Sequence, residues 1–259
     1  MNTNIDFFQE IVSPLDQFEI KDFFNLNIMN YLYISITNIG FYLTIGTILI
    51  LLLSFLSTHF NKIGSNKWSI SQESLYATIH SIVINQINSK KGQIYFPFIY
   101  TLFIFILVNN LIGMIPYSFA STSHFVLTFA LSFTIVLGST ILGFQIHGLK
   151  FFSLLVPAGC PLGLLPLLVL IEFISYLARN ISLGLRLAAN ILSGHMLLNI
   201  LAGFTYNIMS SSKWGLPLGL LPLSFIIAFS GLEIGIAFIQ AQVFVVLSSG
   251  YIKDGVDMH

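Results

Sequence analysis

Long uncharged segments alternate with shorter polar ones along this chain. Residues 37–57 carry no charged side chain over about the twenty residues that cross a hydrocarbon layer of roughly 30 Å, so they predict a transmembrane helix. Residues 71–89 instead place apolar side chains at helical spacing with polar residues between them, which predicts an amphipathic surface helix. Two further apolar segments, 96–116 and 125–146, are joined by a short polar loop and predict a membrane hairpin over 96–146.

Two longer apolar segments follow, and each begins with the heptapeptide Pro-Leu-Gly-Leu-Leu-Pro-Leu. Proline is tolerated at a helix start because its missing N–H has no partner there, so the repeat predicts two helix starts. Helices over 164–205 and 216–252 would be about 63 and 55 Å long, against roughly 30 Å of hydrocarbon. Residues 164–252 therefore predict a hairpin of two long antiparallel helices that are broken or steeply tilted.

The composition agrees with this pattern, since 56% of the residues are hydrophobic and 8% are charged, against about a quarter charged in soluble domains. The sequence predicts an all-α integral membrane protein with a single membrane domain over 1–259. That domain has one outer transmembrane helix, an amphipathic surface helix, a membrane hairpin, and two long steeply tilted antiparallel helices. A net charge of zero argues against a nucleic-acid partner, and the single cysteine gives no metal-ligand set, so we expect no metal or cofactor.

The lysines indicate an orientation. If the predicted segments cross the membrane alternately, one side carries Lys62, Lys67, Lys90, Lys91, Lys150 and Lys253. The other side carries Lys21 and Lys213. The positive-inside rule assigns the first side, with the C-terminus, to the cytoplasm or mitochondrial matrix, so the N-terminal segment 1–36 is expected to face outward.

A polar stripe follows the first long helix. Counting 100° per residue from Arg186, one narrow face holds Glu172, Ser175, Arg179, Ser182, Asn190 and Ser193. A lipid-facing arginine at the membrane centre would cost roughly 2.5–3.5 kcal/mol, so this stripe is expected to face protein or water. His195 falls on the opposite face.

Folding the hairpin at residues 207–215 brings three pairs of polar residues to similar heights. The pairs are Glu233 with His195 near the turn, Gln240 with Arg186 in the middle, and Glu172 with Asp254 near the inner surface. Around Glu233, Gly231 and Gly235 form a GxxxG pattern, which is typical of close helix packing.

The three layers differ in proton chemistry. Histidine and carboxylates exchange protons, whereas a guanidinium keeps its own and repels another positive charge. At 4 Å and an effective dielectric constant of about 20, that repulsion is of order 4 kcal/mol. The layout predicts two proton-permeable half-paths separated by Arg186, with a mobile carboxylate on another chain between them. Three small residues beside Arg186 would let that partner helix approach closely: Ser182, Ala189 and Ser193.

Four motifs carry a resemblance to a known family. The segments SLGLRLAANILSGH, IPYSF, LEIGIAFIQAQVF and SPLDQFEI resemble those of subunit a of mitochondrial F-type ATP synthases, in their fungal form, over nearly the whole chain from residue 13. The resemblance implies a proton-conducting stator subunit of the Fo motor in the mitochondrial inner membrane. Its expected partners are the c-subunit ring, other Fo stator subunits and the lipid membrane. Fungal relatives carry a short leader before SPLDQFEI, so residues 1–12 are a possible leader.

The resemblance also implies roles for individual residues. Arg186 would be the essential arginine that faces the carboxylates of the c ring. The half-channel from the intermembrane space would contain His195, Glu233, Asn190 and Gln240. The half-channel to the matrix would contain Glu172 and Asp254, and Asn110 falls at a further polar position of the family.

Other interpretations remain open at this stage. Arg179 is an additional polar candidate, but it also fits a structural ion pair with Glu172 or a headgroup contact. The repeated heptapeptide suits a self-contained proton-coupled secondary transporter, although the repeat ends after seven residues and Arg186 then corresponds to Gln242. A purely structural subunit would leave the membrane charges unexplained. No nucleotide-binding loop is found, so the chain is not expected to be an enzyme by itself.

Overall fold

The computed structural model describes residues 15–28, 32–58, 66–87, 89–115, 118–156, 164–211 and 215–256. Its α-helices are α1 Asn38–Ser57, α2 Lys67–Ile87, α3 Ser89–Gly113, α4 Phe125–His147, α5 Leu165–Ser211 and α6 Gly215–Val256. All but α2 contain a stretch that is long and apolar enough to cross a membrane. The all-α membrane fold is thereby confirmed, whereas the possible leader 1–12 lies outside the described residues.

A small β-hairpin precedes α1 and was missed by the sequence analysis. Strand β1, Asp22–Ile28, pairs antiparallel with β2, Leu32–Thr37. Both strands are rich in aromatic and β-branched residues, which favour extended backbone. Thr37 is the last residue of β2 and the N-cap of α1. Its hydroxyl oxygen accepts a hydrogen bond from the Gly40 N–H at 3.5 Å, which stabilises the helix start.

The amphipathic helix α2 begins at Lys67, four residues before its predicted start. It buries Ile79, Val83 and Ile87, which are spaced by four residues and so share one face. That face packs against α3 and α6. The helix therefore packs one apolar face against the bundle, while Trp68, Ile70 and Ile84 are exposed on its outer side.

The core of the bundle is centred on α3. Its side chains at Ile99, Phe103 and Ile106 are fully buried, and the helix contacts α1, α2 and α6. By contrast, α1 exposes most of its apolar surface. This difference fits one outer helix against a packed inner helix in a lipid environment.

The two long helices are unbroken. Helix α5 has 47 residues and α6 has 42, or about 70 and 63 Å at 1.5 Å per residue. Unbroken helices of these lengths fit a hydrocarbon layer of roughly 30 Å only when steeply tilted. The repeated heptapeptide marks the start of α5, but α6 begins at Gly215, before its repeat, so Pro222 lies inside the helix.

Candidate functional site

The register of the α5/α6 hairpin determines which polar side chains meet. The two helices run antiparallel and make the largest helix–helix contact of the described chain. Asn190 pairs with Gln240, and Arg179 pairs with Asp254. Gln240 therefore meets a residue one helical turn beyond Arg186, its predicted partner. Asp254 likewise bonds to Arg179, two turns beyond Glu172.

Glu233 is buried near the turn end of the hairpin, where it is 8% exposed. It packs against Gly194 of α5 so closely that a Cβ atom added there would lie 2.5 Å from Oε1 of Glu233. Neither carboxylate oxygen has a hydrogen-bond partner among the residues that the structure describes. Glu233 lines a small cavity together with Met114 and Asn190. The cavity has a volume of about 10 Å³, which is the order needed for one water molecule.

His195 lies at the same level, one residue after Gly194. Its Nε2 atom is buried and has no hydrogen-bond partner within the described ranges. It lies 4.0 Å from the position of a Cβ atom at Gly113, the last residue of α3. The imidazole and the Glu233 carboxylate thus share a level without a direct hydrogen bond between them.

An aromatic side chain of the N-terminal segment contacts His195. The short 3-10 helix Asp16–Phe18 carries Phe18, whose ring stands edge-on to the His195 imidazole with centroids 6.3 Å apart and planes at 75°. Phe18 also packs against the buried side chains of Ala120, Ile191 and Ala237. The N-terminal segment therefore reaches into the polar level of the hairpin.

Asn110 links α3 to α6 at a fully buried position. Its Nδ2 donates to the carbonyl oxygen of Ala237 at 3.4 Å, while Oδ1 has no partner in the described part of the chain. Ala237 lies one turn from Glu233 on α6. Asn110 therefore occupies the same region of the bundle as the buried carboxylate.

Asn190 and Gln240 form the next level. The Nδ2 of Asn190 donates to Oε1 of Gln240 at 2.8 Å, and Gln240 is 4% exposed. The Nε2 of Gln240 has no partner in the described segments. A polar level with an unused buried donor thus separates Glu233 from the region of Arg186.

Arg186 is exposed on α5. Its Nη2 donates to Oγ of Ser182 at a long 3.5 Å, and within the described ranges it forms no ion pair. Ser182, Ala189 and Ser193 are exposed on the same side of the helix. The cation therefore stands on an open helix face lined with small side chains.

Arg179 holds two carboxylates at the opposite end of the hairpin. Its Nη2 lies 3.2 Å from Oε1 of Glu172, and its Nη1 lies 3.7 Å from Oδ2 of Asp254. Glu172 and Asp254 are thus brought together through a shared arginine. The structural ion pair that the sequence left open for Arg179 is present.

One polar cavity of about 360 Å³ borders both Arg186 and Asp254. It lies between α2, α5 and α6, and its other polar side chains are Gln86, Arg179, Ser182, Tyr251 and Lys253. Its lining thus includes a cation without an ion pair in the described chain and a carboxylate bound to Arg179. Both groups border the same space, which is large enough for several water molecules.

The sequence missed three kinds of contributor to this site. Gly194 was passed over although it precedes a membrane histidine, while Gly231 and Gly235, expected to pack closely, meet no described atom within 4 Å of an added Cβ. Phe18 and the cavity residues Gln86 and Tyr251 lie on elements other than α5, where no sequence pattern relates them to Arg186. Among the described residues, no three His, Cys, Asp or Glu side chains converge as a metal site would require.

Comparison with known sequences places these residues in a family. A family model described as ATP synthase A chain matches residues 40–253, which include every site residue except Phe18 and Asp254. Relatives named ATP synthase subunit a are 76% identical in Podospora anserina, over all of both chains, and 78% identical in Neurospora crassa, over 96% of each. A relative of that name in Wickerhamomyces canadensis is 54% identical over 95% of this chain and 97% of its own.

Proposed function

Since the chain belongs to the ATP synthase A chain family, we propose that it is the proton-conducting stator subunit of the Fo motor. In this proposal it spans the mitochondrial inner membrane several times, with its N-terminus toward the intermembrane space and its C-terminus toward the matrix. Two half-channels deliver protons to and from carboxylates on a ring of c subunits. Proton flow through them drives rotation of the ring, and other subunits carry out the ATP chemistry.

The observation that carries the proposal is the position of Arg186 between two groups of titratable residues. His195 and Glu233 lie toward the hairpin turn, while Glu172 and Asp254 lie at the other end. An exposed guanidinium on an apolar helix face is costly in a membrane unless a partner faces it. A carboxylate on a c-ring helix has the complementary charge, and the small residues beside Arg186 leave room for that helix.

The outer half-channel in this proposal runs through the level of Glu233 and His195. A buried carboxylate without a hydrogen-bond partner among the described residues is able to take up and release a proton. The Asn190–Gln240 bond lines the next step inward with groups that hydrogen-bond water but do not hold a charge. Asn110 contributes a further amide beside this route.

The inner half-channel in this proposal is the cavity of about 360 Å³ that joins Arg186 to Asp254. A protonated ring carboxylate that arrives beside Arg186 loses its proton into this cavity, because the guanidinium favours the charged carboxylate. Asp254 and Glu172 then receive the proton near the matrix side. Arg179 holds these two acids together.

Replacement of Arg186 tests the proposal directly. We expect Arg186→Lys to abolish coupled ATP synthesis by the assembled complex, because a desolvated lysine can lose its proton and lacks the planar fork of arginine. Ser182→Ala is the matched control, since it removes only the long hydrogen bond of Arg186, and it should leave synthesis unchanged. Normal proton-driven synthesis by a fully assembled Arg186→Lys complex would reject the proposal.

A further inference from the structure

The residues before the first strand form an ordered insertion into the membrane bundle. The 3-10 helix Asp16–Phe18 is closed by the Glu19 N–H, which donates to the Asp16 carbonyl at 3.2 Å. Asp16 and Glu19 are exposed, whereas Phe18 is half-buried. The segment therefore points one apolar side chain inward and its charged ones outward.

Asn38 attaches this segment to the start of α1. Its Nδ2 donates to the carbonyl oxygen of Glu19 at 2.9 Å, and its backbone N–H donates to the Lys21 carbonyl at 3.0 Å. Asn38 is only 6% exposed, and its hydrogen bond to Glu19 satisfies this buried polar side chain. The position of Phe18 is thereby fixed by hydrogen bonds from a rigid helix.

The ring of Phe18 fills the space between three elements. It packs against Ala120 in the α3–α4 connection, Ile191 on α5 and Ala237 on α6. These buried residues form an apolar contact surface for the ring. The ring also stands edge-on to the imidazole of His195.

The imidazole of His195 contacts the Phe18 ring edge-on, which is a favoured geometry of aromatic pairs. Its Nε2 has no hydrogen-bond partner among the described residues, so no hydrogen bond within the described chain holds that nitrogen in place. Nε2 is directed inward, toward the end of α3 at Gly113.

We infer that Phe18 is a positioning residue for proton transfer through the outer half-channel in either direction, which holds the imidazole of His195 so that Nε2 faces the interior level of Glu233. The inference rests on the proposed function, because it assigns to the N-terminal segment a part in the outer half-channel. Phe18 carries no proton itself. It restricts the imidazole to one orientation, and it covers the level of Glu233 and His195 on the side of the N-terminal segment.

The test uses the purified whole complex with Phe18→Ala, reconstituted in liposomes. Misplacement of a reacting group by about 1 Å can cost of order a hundredfold, so we expect loss of the ring contact to lower ATP-driven proton pumping by about tenfold. Phe18→Tyr keeps the ring edge and should retain pumping. Phe23→Ala is the matched control, because it removes an aromatic contact of the same segment, with Phe41, away from His195.

A second readout separates positioning from general loosening of the fold. The rate at which diethyl pyrocarbonate modifies His195 is measured by mass spectrometry and normalised to His80 on α2. We expect this rate to rise several-fold in Phe18→Ala and to stay near the wild-type value in Phe18→Tyr and Phe23→Ala. If Phe18→Ala does not assemble, Phe18→Leu replaces it, since leucine keeps apolar volume and removes the ring.

The inference is overturned if pumping falls while His195 modification is unchanged, or if modification rises while pumping is unchanged. It is also overturned if neither quantity changes in an assembled Phe18→Ala complex. The modification rate of His195 does not depend on proton flow. Failure of the proposed function in the Arg186 variants would therefore be distinguishable from failure of this inference.

Discussion

The Nδ2 of Asn190 donates a 2.8 Å hydrogen bond to Oε1 of Gln240 and joins the two long helices at one level. Gln240 therefore bonds to a residue that lies one helical turn from Arg186, and not to Arg186 itself. In the described structure the guanidinium is left with a weak contact to Ser182. A cation that binds little within its own chain is available to a group on another chain.

This register makes a crosslinking prediction. Cysteines at 190 and 240 should be joined by a short bifunctional thiol reagent, because the native side chains at these sites are in contact. Cysteines at 172 and 233 should not react with each other, since Glu233 packs against Gly194. Residue 172 lies 22 positions from Gly194, or about 33 Å along α5. Efficient joining of 172 to 233 would contradict the hairpin described above.

Gly194→Ala should displace Glu233 without unfolding the hairpin. The added Cβ would lie 2.5 Å from Oε1, so the flexible carboxylate end must move, whereas the helix backbone gains a better helix former. We expect slower proton uptake by a complex that assembles normally. Gly231→Ala is the control, because no described atom lies within 4 Å of its added Cβ, and equal pumping by the two variants would argue against a role for this close contact.

Glu233→Gln tests the carboxylate itself. The amide keeps the shape and hydrogen-bonding capacity of the side chain but cannot exchange a proton. Proton flux through the reconstituted complex should fall strongly while the amount of assembled complex is unchanged. An unaltered flux would assign Glu233 to packing alone.

Arg179→Ala should affect proton release more than stability. Arg179, Glu172 and Asp254 keep side-chain exposures of 43%, 34% and 36%, and ion pairs of such accessibility contribute about 0–1 kcal/mol. Loss of the shared cation leaves two neighbouring carboxylates that repel each other, which moves the two acids apart at the border of the cavity. Pumping rate and thermal midpoint are the measurements. Lys21→Ala, which breaks an exposed ion pair with Glu19, is the control and should change neither quantity. An Arg179→Ala complex whose thermal midpoint falls while its pumping rate is unchanged would contradict the prediction.

The membrane fold could be predicted from the sequence because it depends on long-range composition. An apolar stretch of about twenty residues has few alternatives to a spanning helix, so the helices α1 and α3 to α6 were expected. The strands over 22–37 were not predicted, because 7 and 6 residues are too short for an alternating pattern to distinguish a hairpin from an irregular N-terminal segment. The starts of the two long helices were predicted to within one residue, since α5 begins at Leu165 and α6 at Gly215 against predicted starts at 164 and 216.

The site was less predictable because it depends on register and on distant elements. Wheel positions and the turn gave the correct level for Glu233 and His195, but a shift of one turn exchanges Arg186 for Asn190 opposite Gln240. Helical periodicity alone cannot detect such a shift, since residues four apart share a face. Phe18 is 177 positions from His195 in the chain, and only the folded N-terminal segment brings their rings together.

The length of α6 between its two acids has an electrical consequence. Glu233 and Asp254 are 21 residues apart, or about 32 Å along an unbroken helix. Water that reaches each acid from its own side brings the potential of that side inward with it. In the proposed function the transmembrane voltage, worth about 2.3 kcal/mol per charge for each 100 mV, is then concentrated over the short section that separates the two half-channels beside Arg186. A lateral step of a charged ring site past this residue therefore moves charge through most of the field.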